Sequence, residues 1–339
     1  MKIIIIGGGW YGCYSAFLLQ KNHQVTLVEK NNDIFDNSSY YNQNRLHLGF
    51  HYPRNSKTRN LCQKYFNKFK NTFNSTYQVD NNYYLISNRS LIDYNTYLAV
   101  FKYEGFDLKE ICNKSFQNIE GNCLSVNEEI IDSDLSKQFF KSNLNCEIIL
   151  NHNVSNINID SKPILCINNK QLECDLIIDC TYNLLNLSSK NYIYEKTISL
   201  LYKKINDVEF GGITIVDGNF VSLYPRDIKN NIYTLTDVEF TPLIKTSNLV
   251  EINNYKINDD QILEIIHNME NKLLEYYPDF KESFIYDGYF LANKTKLISN
   301  SDSRECNIEY IDNKLITVNC GKIIGIFELE EFYSNINLI

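Results

Sequence analysis

Basic residues are in deficit: 33 Lys and Arg stand against 41 Asp and Glu, for a formal net charge of −8. No arginine-rich helix or lysine block could follow a phosphate backbone, which argues against a nucleic-acid partner. The ten cysteines include no CxxC pair and no paired-ligand spacing for zinc. Several fall inside expected strands or helices, where a free thiol packs as a small hydrophobe, so reduced thiols in a cytoplasmic compartment are expected. The five histidines group nowhere except at His47 and His51, an i,i+4 pair in an expected loop, and no metal site is expected. No run approaches the ~20 apolar residues of a membrane-spanning helix. What is present is a globular composition, 44% hydrophobic and 22% charged over 339 residues, enough for one large α/β unit or two connected domains.

The apolar run at residues 3–6, preceded by Lys2, could open a secretory leader, but a cleavage site of small residues should then follow. Instead Gly7-Gly8-Gly9-Trp10-Tyr11-Gly12 satisfies G-x-G-x-x-G, residues 13–21 read as a helix, and residues 24–28 read as a second strand ending in Glu29. Strand, glycine turn, helix, strand and acid together form the context of a dinucleotide cradle. Gly7 permits the tight turn, Gly9 removes a side chain where a pyrophosphate approaches, and Gly12 lets helix and strand pack closely. Backbone N–H groups and the helix dipole face the phosphates. Glu29 can accept from an adenosine ribose and would repel the 2′-phosphate of NADP.

After Glu29 the periodicity gives way to a polar loop. Residues 58–75 and 91–104 then read as helices and 83–86 as a strand. Further on, 134–142 reads as a helix, while 146–150, 154–157 and 175–181 read as strands returning to the first sheet. Near the end, 314–318 is a strand, 319–322 a turn and 323–333 a helix. The expected fold is α/β: a Rossmann-like dinucleotide domain in three segments (1–50, 125–187 and 300–339), with an inserted α+β substrate domain (51–124 and 188–299) containing a mainly antiparallel sheet. A nucleotide domain split in this way points to FAD.

In this layout the chain resembles the FAD-dependent oxidoreductases that include D-amino-acid oxidase, sarcosine and glycine oxidases and L-2-hydroxyglutarate dehydrogenase. The sharpest local match is Asn42-Gln43-Asn44-Arg45-Leu46-His47-Leu48-Gly49-Phe50-His51-Tyr52-Pro53, continuing to Ser56 and Leu61-Cys62. It is similar to a segment of that family that runs along the flavin and into the substrate site. The resemblance implies FAD contacts at Gly7, Gly9, Trp10, Tyr11, Gly12, Glu29, Lys30, Asn42, Arg45, Leu46, Val154, Thr181, Gly321, Lys322 and Ile323. One departure is visible: where the family's strand ends in a small–Thr–Gly turn, Cys180-Thr181 is followed here by the bulky Tyr182.

The resemblance implies hydride transfer from a small polar substrate, a 2-hydroxy acid, amino acid or related alcohol or amine, to flavin N5. An alcohol substrate needs a base for its hydroxyl proton, and histidine suits the task. His47 is the first catalytic candidate, with His51 and Arg45 beside it. Arg45 or Arg226 could hold a carboxylate bidentately, and Tyr52 and Tyr224 could wall the pocket. Gly321 and Lys322 offer N–H groups and positive charge to reduced flavin. Lys294, Lys296 and Arg304 fall where the family carries a flavin-facing basic residue. Two other readings stand beside this one: a nucleotide-sugar mutase using reduced flavin, and a non-catalytic FAD-fold protein. The electron acceptor and any covalent attachment of the flavin are not written in these motifs.

Overall fold

The computed structural model describes residues 1–168, 170–298 and 306–339; Arg304 and the expected boundary at 300 lie outside them. The chain divides into two compact units.

The first unit comprises Met1–Tyr41, Ser133–Tyr194 and Asn293–Ile339. Its main sheet places Asn307–Ile311, Leu315–Asn319, Leu176–Asp179, Lys2–Ile6, Gln24–Val28 and Glu147–Ile149 side by side. The last five run parallel, and Asn307–Ile311 is an antiparallel edge. Ile3, Ile4 and Ile5 have no exposed surface, as a strand covered on both faces requires. The helix Trp10–Leu19 packs against both Ser133–Asn143 and Ile326–Asn335. Trp10 meets Phe140 with ring centroids 5.7 Å apart, and Tyr14 meets Phe327 at 5.6 Å.

Two expectations are corrected in this unit. Val154–Asn158 does not return to the first sheet; it forms a separate antiparallel sheet with Ile164–Ile167 and Lys170–Glu173. The physical reason lies in Ser155, Asn156 and Asn158, which are exposed and could not be buried on both faces of a parallel sheet without unsatisfied polar groups. The last helix begins at Ile326, after a 3₁₀ turn over Ile323–Gly325.

The second unit comprises Asn42–Asp132 and Glu195–Ala292. The chain thus changes unit after residues 41, 132, 194 and 292, not after 50, 124, 187 and 299. Arg45–Leu46 pairs with Glu129–Ile131, which also pairs with Thr76–Gln78, and that small sheet ties residues 42–50 and 125–132 to this unit.

The unit's large sheet follows the order Pro242–Thr246, Tyr192–Lys204, Ile232–Asp237, Val221–Asp227, Gly212–Val216, Asn82–Ser87, Ile119–Val126 and Leu108–Ile111, with Phe284–Leu297 also paired to Tyr192–Lys204. Asn82–Ser87 and Gly212–Val216 are parallel neighbours, and the pairs flanking them are antiparallel. Period-two alternation sorts the side chains into two faces. Tyr83, Leu85, Ile213, Ile215, Val221 and Leu223 join one core with Met269 and Leu273 of the helix Asp259–Leu274. Tyr84, Thr214, Ser222 and Tyr224, the alternate residues, are all buried too, and they build the site described next.

Candidate functional site

In the first unit the glycine turn is sterically committed. Gly7 has φ +99°, and a Cβ there would lie 2.7 Å from Cys180 O. A Cβ at Gly12 would lie 1.8 Å from Gly7 O, so only glycine lets the helix meet the strand. A Cβ at Gly9 would sit 2.7 Å from Ser39 Oγ, and Ser39 Oγ accepts the Trp10 N–H at 3.0 Å. Gly9 is the N-cap of Trp10–Leu19 but offers no side-chain cap, and the first turn carries no acid. The positive end of this helix dipole is therefore left for an anion.

Glu29 is buried, and both its oxygens are already engaged by the backbone. Its Oε2 accepts the Gly8 N–H at 2.6 Å and its Oε1 the Asn31 N–H at 2.9 Å. Each carboxylate oxygen keeps a further lone pair for a ligand. Trp10 packs its ring among Phe35 and Phe140, and Lys30 is exposed. Tyr11 donates to Lys322 O at 2.5 Å, tying the glycine-turn helix to the C-terminal turn, where Gly321 is exposed and Ile323 half-buried. Val154 packs in a core with Ile4, Ile6 and Val28. The Thr181 amide donates to Asp179 Oδ1 at 2.9 Å, and burial pushes the Asp179 carboxyl up to about 6. Tyr182 adopts φ +65°, a left-handed conformation that glycine favours. The backbone of this turn thus takes a glycine-type course despite the phenol. The cradle fits the adenosine and pyrophosphate of a dinucleotide.

In the second unit, Asn42 turns the loop by accepting the Asn44 N–H at 2.5 Å, and Leu46 is buried beside it. The Arg45 side chain points inward. Its Nη1 donates to Tyr84 Oη at 3.0 Å and Thr214 Oγ1 at 2.7 Å, and its Nη2 to Ser222 Oγ at 2.8 Å. The guanidinium also lies 3.7 Å from the Tyr224 ring centroid. Burial pulls its pKa down, but Tyr84, Tyr224 and Glu128 outweigh this and hold it above the ordinary arginine value. A bidentate clamp on a substrate carboxylate needs free N–H groups; here three of them are spent inside. Tyr224 is likewise interior, with no exposed surface, and Arg226 lies apart, over the Phe290 ring at 5.5 Å.

Glu128, which the sequence reading did not single out, closes this network. Its Oε2 accepts the Tyr84 hydroxyl at 2.6 Å, and its Oε1 accepts the Leu48 N–H at 2.9 Å and the Gly49 N–H at 3.4 Å. Arg45 Nη1 stands 3.8 Å from it and His47 Nδ1 3.4 Å. Burial first, and then Glu128, raise the Tyr84 pKa well above the ordinary tyrosine value, so the phenol stays a donor between the two charges. The Glu128 side chain has no exposed surface, whereas that of His47 is 15% exposed. A buried ion pair that lacks such hydrogen bonds costs several kcal/mol per ion; this one has them on both sides. His47, His51 and Tyr52 cluster beside it, with ring centroids 5.2–5.6 Å apart, and Phe220 packs on His51 at 4.8 Å. In the sequence Glu128 shows only as half of an acid pair, Glu128-Glu129, between Asn127 and Ile130-Ile131.

Residues 2–115 match the sequence model of the family described as FAD dependent oxidoreductase. Over 334 residues the chain is 32% identical to the FAD-dependent monooxygenase FPY4 of Fusarium mangiferae, covering 96% of this chain and 88% of that protein. A 74-residue stretch is 43% identical to the FAD-dependent monooxygenase kojA of Aspergillus flavus, 17% of that protein's length. Among solved structures, glycine oxidase from Geobacillus kaustophilus superimposes with a TM-score of 0.73 at 11% identity, covering 96% of this chain and 90% of that one. NikD, an unusual amino acid oxidase, gives 0.74 at 9% identity, covering 96% and 91%. At such identities the structural likeness speaks for the fold alone.

Proposed function

Because the chain belongs to the FAD-dependent oxidoreductase family, we propose that it oxidises a small polar substrate, a 2-hydroxy acid, amino acid or related alcohol or amine, with His47 taking the substrate proton and Glu128 orienting His47. Bound FAD supplies the hydride acceptor. The glycine turn, the start of Trp10–Leu19 and the remaining lone pairs of Glu29 would hold its adenosine and pyrophosphate. The observation that carries the proposal is the carboxylate of Glu128 on the Nδ1 side of a partly exposed histidine, itself fixed by two backbone N–H groups and the Tyr84 phenol. Glu128 Oε1 lies 3.4 Å from Nδ1 without a formed hydrogen bond; in this reading the two close into one when substrate binds, which places the proton on Nδ1 and leaves Nε2 the lone pair of a general base. Arg45 then acts through the network: its guanidinium stands 3.8 Å from the Glu128 carboxylate and fixes the Tyr84 hydroxyl that donates to it.

The 32% identical relative, named a monooxygenase, favours a second reading in which the electrons come from an external reductant and the substrate gains an oxygen atom. Anaerobic mixing separates the two. Bleaching of the flavin band by a member of a panel of hydroxy acids, amino acids and nucleotide sugars, with no other reductant, supports direct substrate oxidation. Bleaching by NADH or NADPH alone, followed in air by oxygen incorporation into a substrate, would replace it with the second reading.

A further inference from the structure

Three ligand-type side chains converge in the first unit, beside the C-terminal turn that Tyr11 meets through Lys322 O. Asn307 and Asn319 are the last paired residues of the antiparallel hairpin formed by Asn307–Ile311 and Leu315–Asn319. The same register, continued by one residue, sets Cys306 directly opposite Cys320. Glu328, in the first turn of the helix Ile326–Asn335, reaches both: the two Sγ atoms and a Glu328 carboxylate oxygen all lie within 4.8 Å of one another. Cys320 is buried, while Cys306 and Glu328 are half-buried, so the group is enclosed but reachable. We propose that Cys306, Cys320 and Glu328 bind one zinc ion.

The geometry is close to what the ion requires. With Zn–S of about 2.3 Å and Zn–O of about 2.0 Å, tetrahedral ligand atoms stand roughly 3.5–3.8 Å apart, so closing the group takes about 1 Å of movement. Two thiolates select a soft cation over magnesium or calcium, and a carboxylate completes a set that zinc accepts. Glu328 Oε2 accepts the Cys306 N–H at 3.1 Å, which holds the carboxylate beside that thiol; the Cys320 thiol donates to Lys322 O at 3.4 Å, a bond that zinc would replace. Zinc needs both thiols as thiolates, so binding releases their protons and affinity falls as pH falls. Three protein ligands leave the fourth tetrahedral position to water. The ion would pin the edge strand Asn307–Ile311 to the last helix, neither of which supplies His47 or Glu128.

The test uses the full chain with its flavin, kept in a non-chelating reductant and stripped of metal. Titrations with Zn²⁺ and with Mg²⁺ should show one zinc bound per chain and no magnesium. Cys306→Ser and Glu328→Gln should each weaken zinc about 100-fold or more, while Cys112→Ser, at an exposed thiol, should leave it unchanged. Co²⁺ in place of zinc should give thiolate-to-metal charge-transfer absorption in the difference spectrum of the unaltered chain, a readout that needs no variant to fold. Absence of that band, no zinc uptake, or equal zinc affinity in wild type and both ligand variants would overturn the site. So would a pair of thiols that become countable only after reduction, since that would make Cys306 and Cys320 a disulfide.

Discussion

Removing the His47 imidazole tests the chemistry of the site most directly. General-base catalysis is worth roughly 10²- to 10⁴-fold, so His47→Ala should slow substrate-driven flavin reduction by that order while flavin content is retained; stopped-flow traces with equal rates would remove His47 from the mechanism. Asp179 makes a pH-dependent claim. Its native pKa of about 6 stands above the ordinary value of 3.8 because the carboxyl is buried. The native state therefore holds more protons than the unfolded chain between about pH 4 and 6, and stability falls as pH rises through that window. A shift of about two units is worth roughly 3 kcal/mol. Asp179→Asn should accordingly stabilise the chain at pH 7 by an amount of that order, with the gain vanishing below pH 4 in urea unfolding curves. A variant no more stable at pH 7 would show that the carboxylate is compensated when charged. Arg45 shows how residue-level inference from sequence stops short: its type suits a carboxylate clamp, but strand alternation turned it inward to three hydroxyls.

At the scale of elements, the strand, glycine turn and helix at residues 2–19 behave as one unit because Glu29 stitches the turn to the end of the second strand. Glu29→Ala leaves the Gly8 and Asn31 N–H groups without their acceptor, at about 1–3 kcal/mol for each buried donor. Flavin content and melting temperature should therefore fall together. Loss of flavin with unchanged stability would mean that Glu29 serves the ribose alone. The five parallel strands were legible because each is a short apolar run bounded by turn residues, a local signal. Val154–Asn158 was misplaced for the same reason: its pattern identifies a strand but not its partner. The final helix was legible in its apolar periodicity and not in its first turn, where the 3₁₀ segment Ile323–Gly325 leaves no distinct sequence mark.

For the whole molecule, the first unit is assembled from three separated segments and the second from two, so ligand binding to the first reports on cooperative folding of distant parts of the chain. FAD at a hundred times its Kd should add about 2.7 kcal/mol of stability, seen as a melting temperature that rises with added FAD and is unmoved by FMN, which lacks the adenosine half. A midpoint indifferent to FAD would contradict the cradle. The sequence by itself determined the dinucleotide turn, the FAD-type layout and the stretch containing His47, His51 and Tyr52, because glycine spacing, periodicity and contiguous motifs are written locally. Only the tertiary structure decided that Glu128 meets His47, that Arg45 is spent in the interior, and that Cys306 meets Cys320 and Glu328. Those meetings depend on strand register and on which face each residue takes; a slip of one residue would reverse every face, and neither register nor face partner is encoded at any single position.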